Sequence, residues 1–294
     1  MGATAEIVVT GLKFLEGPVW CPADDDIPTA TVVCTSVPEG ALYRVWPDEG
    51  RAERLAVVGG GANAAQRAGD GGFVVTQNGG VDFSQTGLYD EPPPYQPVTP
   101  GIQHVSRAGD VRYVCCDDFI APNDLIVTAD GTLLFTDPPH WPVPEGDPVG
   151  RVHSLTPDGT VRVVASGLVY PNGIALDPDG GILVIEGEGL IRMLVDGSIE
   201  WVVAPGTVHG DGFAVDVDGR CYICATAENA VRVFDPDGTE VDRLPVPGEG
   251  MITNCCFGGD DGRTLFGACG IPGQVVAWEG LPAPGLPVLS WPVI

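Results

Sequence analysis

An Asp-containing turn that returns six times is the strongest constraint this chain places on its own fold. Asp24, Asp70, Asp130, Asp179, Asp218 and Asp261 each sit in such a turn, 39 to 60 residues apart. A second series falls between them, at WPDEG 46–50, RAGD 107–110, TPDG 156–159, LVDG 194–197, DPDG 235–238 and WEG 278–280. Asp-Gly supplies the positive φ of a tight hairpin. The runs it joins, as in TADGTLLFTD, DPDGGILVIEG and DVDGRCYICA, are short, apolar and β-branched, with no long helical periodicity. Two hairpin turns per cycle leave room for four strands. The spacing therefore predicts an all-β chain, a six-bladed β-propeller with four antiparallel strands per blade. A β-sandwich of this length leaves the sixfold period unexplained. A closed ring is one unit, so residues 1–294 are expected to form a single domain. The longest interval contains SQTGLYDEPPPYQPVTPGIQH at 84–104, where Pro92, Pro93, Pro94, Pro97 and Pro100 exclude a central strand. It is expected as a surface loop or as a lid over one face of the ring, with Tyr89 and Tyr95 as its lining.

The charge balance narrows the partners. Fourteen Lys and Arg face 40 Asp and Glu, a net charge of −26. Such a surface repels phosphate backbones and anionic lipid, so neither nucleic acid nor a membrane is an expected partner. No apolar run reaches the ~18 residues a membrane span needs. The start, MGATAEIVVTG, lacks a basic segment followed by an apolar one. The expectation is a soluble cytoplasmic protein. The nine Cys include two vicinal pairs, Cys115-Cys116 and Cys255-Cys256, whose side chains point to opposite faces of a strand. Cys221 and Cys224 lie inside an apolar strand pattern with no second CxxC, so they read as buried thiols.

The chemistry is concentrated in one register. Only six Asn occur, and four of them, Asn63, Asn123, Asn172 and Asn254, stand seven positions before a turn Asp. Asp211 occupies that position before Asp218, and Glu16 lies beside it, next to Gly17, before Asp24. The register falls just ahead of each expected innermost strand, so the six positions should ring one mouth of the central channel. Glu16, Asn123, Asn172 and Asp211 can then offer four oxygens to a hard divalent ion. Asn and Asp also favour strand-entry turns, the plain alternative at any single position. No His or Cys holds the register, which argues against a closed zinc site. Nucleophile-elbow, phosphate-loop and zinc-helix motifs are absent. His153 alternates with apolar positions and reads as a strand residue. His209, two residues before Asp211, is placed at the mouth or in a turn, and Asn78 at a hairpin or at the mouth.

The motifs EGPVW 16–20, APNDL 121–125, LLFTDPP 133–139, PNGIALDPDG 171–180, DGFAVDVDGRCYI 211–223 and TNCCFGGDDGRTLF 253–266 together resemble the senescence marker protein, gluconolactonase and luciferin-regenerating enzyme family. The NGG at 78–80 with its Pro-rich insert resembles the bacterial gluconolactonase-like branch. The resemblance implies a lactonase with one divalent metal in the channel, Ca²⁺ before Zn²⁺, Mg²⁺ or Mn²⁺. By it, Glu16, Asn172 and Asp211 hold the metal, Asp211 is also the general base, and Asn123 lies at the metal and the substrate. Asn63 and Asn254 are in register without a matching family role. Substrate contacts are expected from Asn78, Asn123, His140, Trp141 and His209. The chain departs from the family where a basic residue often precedes PND, since Ile120-Ala121 stand there. With Pro138, Pro139, His140 and Trp141 as wall, the expected substrate is a lactone or ester less polar than a sugar lactone. Two alternatives are a phosphotriester or other ester on the same metal, and a non-catalytic propeller binding a small molecule or a protein.

Overall fold

The computed structural model describes residues 4–143, 145–194 and 197–294. Among the described residues, 24 strands form six antiparallel four-stranded sheets arranged as the blades of a propeller. Blades one to five are continuous stretches, at 15–57, 62–115, 125–168, 171–203 and 210–245. The sixth takes its three inner strands from 251–278 and its outermost from Ala5–Thr10, which pairs with Gln274–Trp278. This pairing of the two ends of the chain closes the ring and leaves the sheet of the sixth blade no gap.

The turn chemistry is as the sequence pattern implies, with one refinement. Gly131 and Gly219 take φ of 83° each in their hairpins. In the second and third blades the turn Asp accepts main-chain N–H groups, as Asp70 does from Gly72 at 3.0 Å and Asp130 from Thr132 at 3.1 Å. In the fourth and fifth blades an Asp two residues earlier does this work. Asp177 accepts from Asp179 and Gly181, and Asp216 from Asp218 and Arg220. Two residues of the LVDG turn, Val195 and Asp196, lie outside the described residues.

Each pair of adjacent blades buries its own apolar cluster. Between blades two and three, Val74, Leu125, Leu133 and Phe135 pack with Trp291 from the C-terminal segment. The outermost strands are mostly solvent-facing, with Val163 and Val241 about half exposed. His153 is a strand residue as expected, stacked on Phe135 and 3.2 Å from an Asp137 oxygen. All nine Cys are free, and Cys221 and Cys224 are buried within one strand. The insert is shorter than its sequence limits: Gly101–Val105 is a strand paired with Phe73–Gln77, because past Pro100 every residue can donate to the ladder again. No helix among the described residues is long and apolar enough to cross a membrane.

Candidate metal and active site

The innermost strands do not run smoothly. Pairing with the second strand slips between Glu16 and Val19, Ala62 and Ala65, Pro171 and Ile174, Gly210 and Phe213, and Ile252 and Asn254. A bulge of this kind bends the strand and re-aims the extra residue. Glu16, Asn63, Asn172, Asp211 and Asn254 therefore lie inside their strands, at the bulges, and not ahead of them as the turn spacing suggests. Only Asn123 precedes its strand, Leu125–Val127. Glycine makes two of the bulges possible. Gly17 takes φ of 37°, and a Cβ on it would stand 2.2 Å from the Ala64 main chain. A Cβ on Gly212 would stand 2.0 Å from the Asn254 side chain.

Threonines of the first three blades then pin the register residues of the next blade. Thr35 donates its hydroxyl to the Asn63 carbonyl at 2.6 Å, Thr76 to that of Asn123, and Thr136 to that of Asn172 at 2.7 Å. Across the closure, Thr253 donates to the Leu15 carbonyl at 2.6 Å. These braces fix main chain, leaving the side chains to face the channel.

A cavity of about 410 Å³ opens at the mouth where these strands begin. Glu16, Asn78, Asn123, His140, Trp141, Asn172, His209 and Asp211, the residues singled out from sequence, all line it. Asn63 lines it as well, and Asn254 does not; Asn254 faces a second cavity deeper in the channel. Asn78 thus belongs to the mouth. Of the insert, neither Tyr89 nor Tyr95 is in the wall; Tyr89 sits edge-on behind Phe83, at 5.5 Å between ring centres.

The hydrogen bonding of the four register amides divides them. The side-chain oxygens of Asn123 and Asn172 are buried without any donor. The Asn254 oxygen accepts from the Cys255 N–H at 2.8 Å, and its nitrogen donates to both oxygens of Asp124 at 2.9 Å. The Asn63 oxygen accepts from the Asn78 amide at 3.0 Å. Two amide oxygens are therefore left open and two are engaged by the protein. Buried acceptors without partners are uncommon and mark a place where something else binds.

The carboxylates tell the same story. Burial, then the charges of Asp211 and Asp124, push the Glu16 carboxyl well above its usual range, against the opposing bonds from Gly17 N–H and the Asn254 amide. Burial and Asp124 push Asp211 up to about 8, while the Asn172 amide pulls it down. Burial pushes Asp124 up to about 6, opposed by Asn254. No Lys or Arg lines the cavity among the described residues. Like charges gathered in a site whose described lining holds no Lys or Arg favour a cation or bound protons. Among the described residues no three His, Cys, Asp or Glu side chains form a metal-holding group. The donor set at the cavity is instead mixed, Glu16 and Asp211 with the open oxygens of Asn123 and Asn172. Such all-oxygen ligation suits a hard divalent ion. Asp124 escaped the sequence reading because its neighbour Asn123 holds the register; its three-residue motif, PND, was the available signal.

The family model described as SMP-30/Gluconolactonase/LRE-like region matches residues 14–268. The chain belongs to this family. A gluconolactonase of Zymomonas mobilis is 27% identical over 295 residues, spanning 89% of this chain and 77% of its own. A gluconolactonase of Xanthomonas campestris superposes with a TM-score of 0.73 at 22% identity, covering 95% of this chain and 90% of that one. Regucalcin of Agrobacterium tumefaciens, a calcium-binding protein, superposes at 0.77 with 18% identity over 100% and 98% of the two chains. At these identities the superpositions establish the shared propeller.

Within this SMP-30/gluconolactonase-like frame, one wall of the cavity is apolar. Phe14, Phe83 and Trp141 stand together, with ring centres 5.0 to 6.4 Å apart. Val37, Val81 and Met251 extend the surface. Phe14 takes φ of 36°, a left-handed conformation that a bulky residue rarely adopts. Sequence reasoning found Trp141 and missed Phe14 and Phe83, which reach the wall from the turn before Glu16 and from the root of the insert.

Proposed function

We propose that this protein is a divalent-cation-dependent lactonase whose substrate carries an apolar or aromatic group. The observation that carries the reading is the pair of buried, unpartnered oxygens of Asn123 and Asn172 at one cavity with Glu16 and Asp211. Membership of the family and the Zymomonas gluconolactonase support hydrolysis of a cyclic ester. Glu16, Asn123, Asn172 and Asp211 would hold the cation, with Ca²⁺ the best match to an all-oxygen set. When bound, the cation supplies Lewis-acid polarisation of the lactone carbonyl.

The rest of the work falls to the side chains. The lactone ring lies against Phe14, Phe83 and Trp141, which shed water from its apolar part. Asp211 accepts a proton as the attacking water forms its bond to the acyl carbon. As the ring C–O bond breaks, the proton passes to the departing oxygen, and the product is an open hydroxy acid. Asn123 is placed to align the substrate as well as to hold the cation. Among the described residues the lining has no Lys or Arg, the usual partners for a sugar acid, which favours a less polar ligand.

The test is a panel of alkyl- and aryl-substituted lactones, sugar lactones, linear esters and phosphotriesters, run on protein of measured metal content. The expected result is turnover led by the apolar lactones. Reaction of sugar lactones alone contradicts the substrate class. Reaction of phosphotriesters without lactones contradicts the reaction.

A further inference from the structure

We propose that Asn63 is a catalytic hydrogen-bond donor, its side-chain N–H meeting the carbonyl oxygen of the lactone as negative charge develops there. The inference rests on the lactonase reading above and adds to it a residue outside the cation-holding set.

The polarity of Asn63 is dictated by a main-chain group two steps away. The Gly80 N–H can only donate, and it does so to the Asn78 side-chain oxygen at 2.9 Å. That fixes the Asn78 amide, whose nitrogen is left to donate to the Asn63 oxygen at 3.0 Å. The Asn63 oxygen is thereby engaged, and its nitrogen is turned away from Asn78. That nitrogen is buried and has no partner, on a residue only 4% exposed that lines the cavity. At Asn123 and Asn172 the unpartnered atom is an oxygen; at Asn63 it is a nitrogen. The relay thus converts one position of an oxygen ring into a donor. The main chain beneath is pinned by Thr35 at 2.6 Å, so the group is preorganised.

Its place in the ring suits the role. Asn63 belongs to the second blade and Asp211 to the fifth, and in a ring of six these blades face each other. Asp211 takes the proton as the water oxygen bonds to the acyl carbon. The carbonyl electron pair moves onto oxygen, and the Asn63 N–H donates a hydrogen bond to that oxygen. When the pair returns, the ring C–O bond breaks and the departing oxygen takes the proton from Asp211. A preorganised donor at such an oxygen is worth more in the transition state than in the ground state.

Two variants test this by different routes. Asn63→Leu removes the donor. Asn78→Asp leaves Asn63 in place but, since the introduced carboxylate can only accept, turns the Asn63 nitrogen toward it and the oxygen toward the cavity. In both, kcat on the best lactone should fall about 10²- to 10³-fold, with KM within about threefold. Binding of a tetrahedral phosphonate analogue should weaken in parallel, and calorimetric Ca²⁺ stoichiometry should hold. Retained kcat in both variants, or a loss confined to KM, overturns the inference while leaving the lactonase reading intact. If Asn63→Leu does not fold, Asn78→Asp decides alone. A wild type that hydrolyses no lactone overturns both.

Discussion

The two ends of the central channel are built from the same six strands and have opposite character. At the first mouth, the bulge residues and Asn123 set carboxylates and open amide oxygens beneath an aromatic wall. Beyond the bulges, the same strands line a second cavity of about 290 Å³ with Val19, Ala65, Ile174 and Phe213, and the C-terminal segment crosses it. That segment is tied at both rims. Leu286 donates to the Val215 carbonyl at 2.9 Å, Arg67 donates to that of Val288 at 2.7 Å, and Trp291 donates to that of Arg67 at 2.8 Å. Trp291 is fully buried. Asp124 and Asn254 sit between the ends and face the covered cavity. A one-residue bulge, found in five of the six innermost strands, thus separates a polar, open end, where the proposed chemistry lies, from an apolar end covered by the C-terminal segment.

Changes at the two ends should accordingly have separable effects. At the open end, Asp211→Asn keeps the shape of the side chain and removes the proton acceptor. We expect kcat to fall about 10²- to 10⁴-fold with no loss of melting temperature, measured on one preparation by steady-state kinetics and calorimetry. At the covered end, Trp291→Ala should cost about 3–5 kcal/mol of stability in denaturant unfolding, and leave kcat for the folded enzyme unchanged. A large kcat loss in that variant would break the division between the ends.

A narrower test concerns the wall. Trp141→Ala should weaken kcat/KM for aryl lactones by about 10- to 200-fold and spare small unsubstituted ones. An equal loss on both would show that Trp141 supports the floor and not the substrate.

The pH dependence also distinguishes the ends, because Glu16 and Asp211 line the first and Asp124 lies between the two. Glu16, Asp124 and Asp211 all have folded values above their ordinary ones. Their stabilising contribution is complete below the ordinary carboxylate range and is lost as pH rises toward about 8, the raised value of Asp211. Metal-free protein should therefore melt lower as pH climbs through that window. The increase in melting temperature on adding Ca²⁺ should grow over the same window, since fewer protons must leave. A flat difference would contradict the placement of the cation among these groups. The smallest effect is expected at a brace. Thr136→Val removes the hydroxyl that holds the Asn172 carbonyl and should cost about 1 kcal/mol.

Much of the open end was legible in the sequence because local chemistry repeats there. Asp turns counted the blades, and an uncommon residue, Asn, held one register in four of them. What the spacing could not show is which amides face inward with oxygen. That depends on Asn78 reaching Asn63 across a hairpin and on Asp124 reaching Asn254 across the channel, contacts that the fold makes and local spacing does not. The bulges were hidden for a related reason: a strand slipped by one residue keeps its apolar pattern on either side. The covered end was not legible at all. The segment from 286 to 291 has no strand periodicity, and its contacts with Val215 and Arg67 span the ring. Closure by Ala5–Thr10 was likewise invisible, as it joins the two ends of the repeat array.

Under the proposed function, the open floor holds a single divalent cation on which lactone hydrolysis depends. One titration addresses it directly: strip the protein with chelator, return Ca²⁺ in measured steps, and follow lactone turnover and bound metal together. The expected result is no turnover in the stripped protein and full recovery at one ion per chain, with Asn172→Leu failing to recover at that ratio. Undiminished turnover by stripped protein of verified metal content would contradict it.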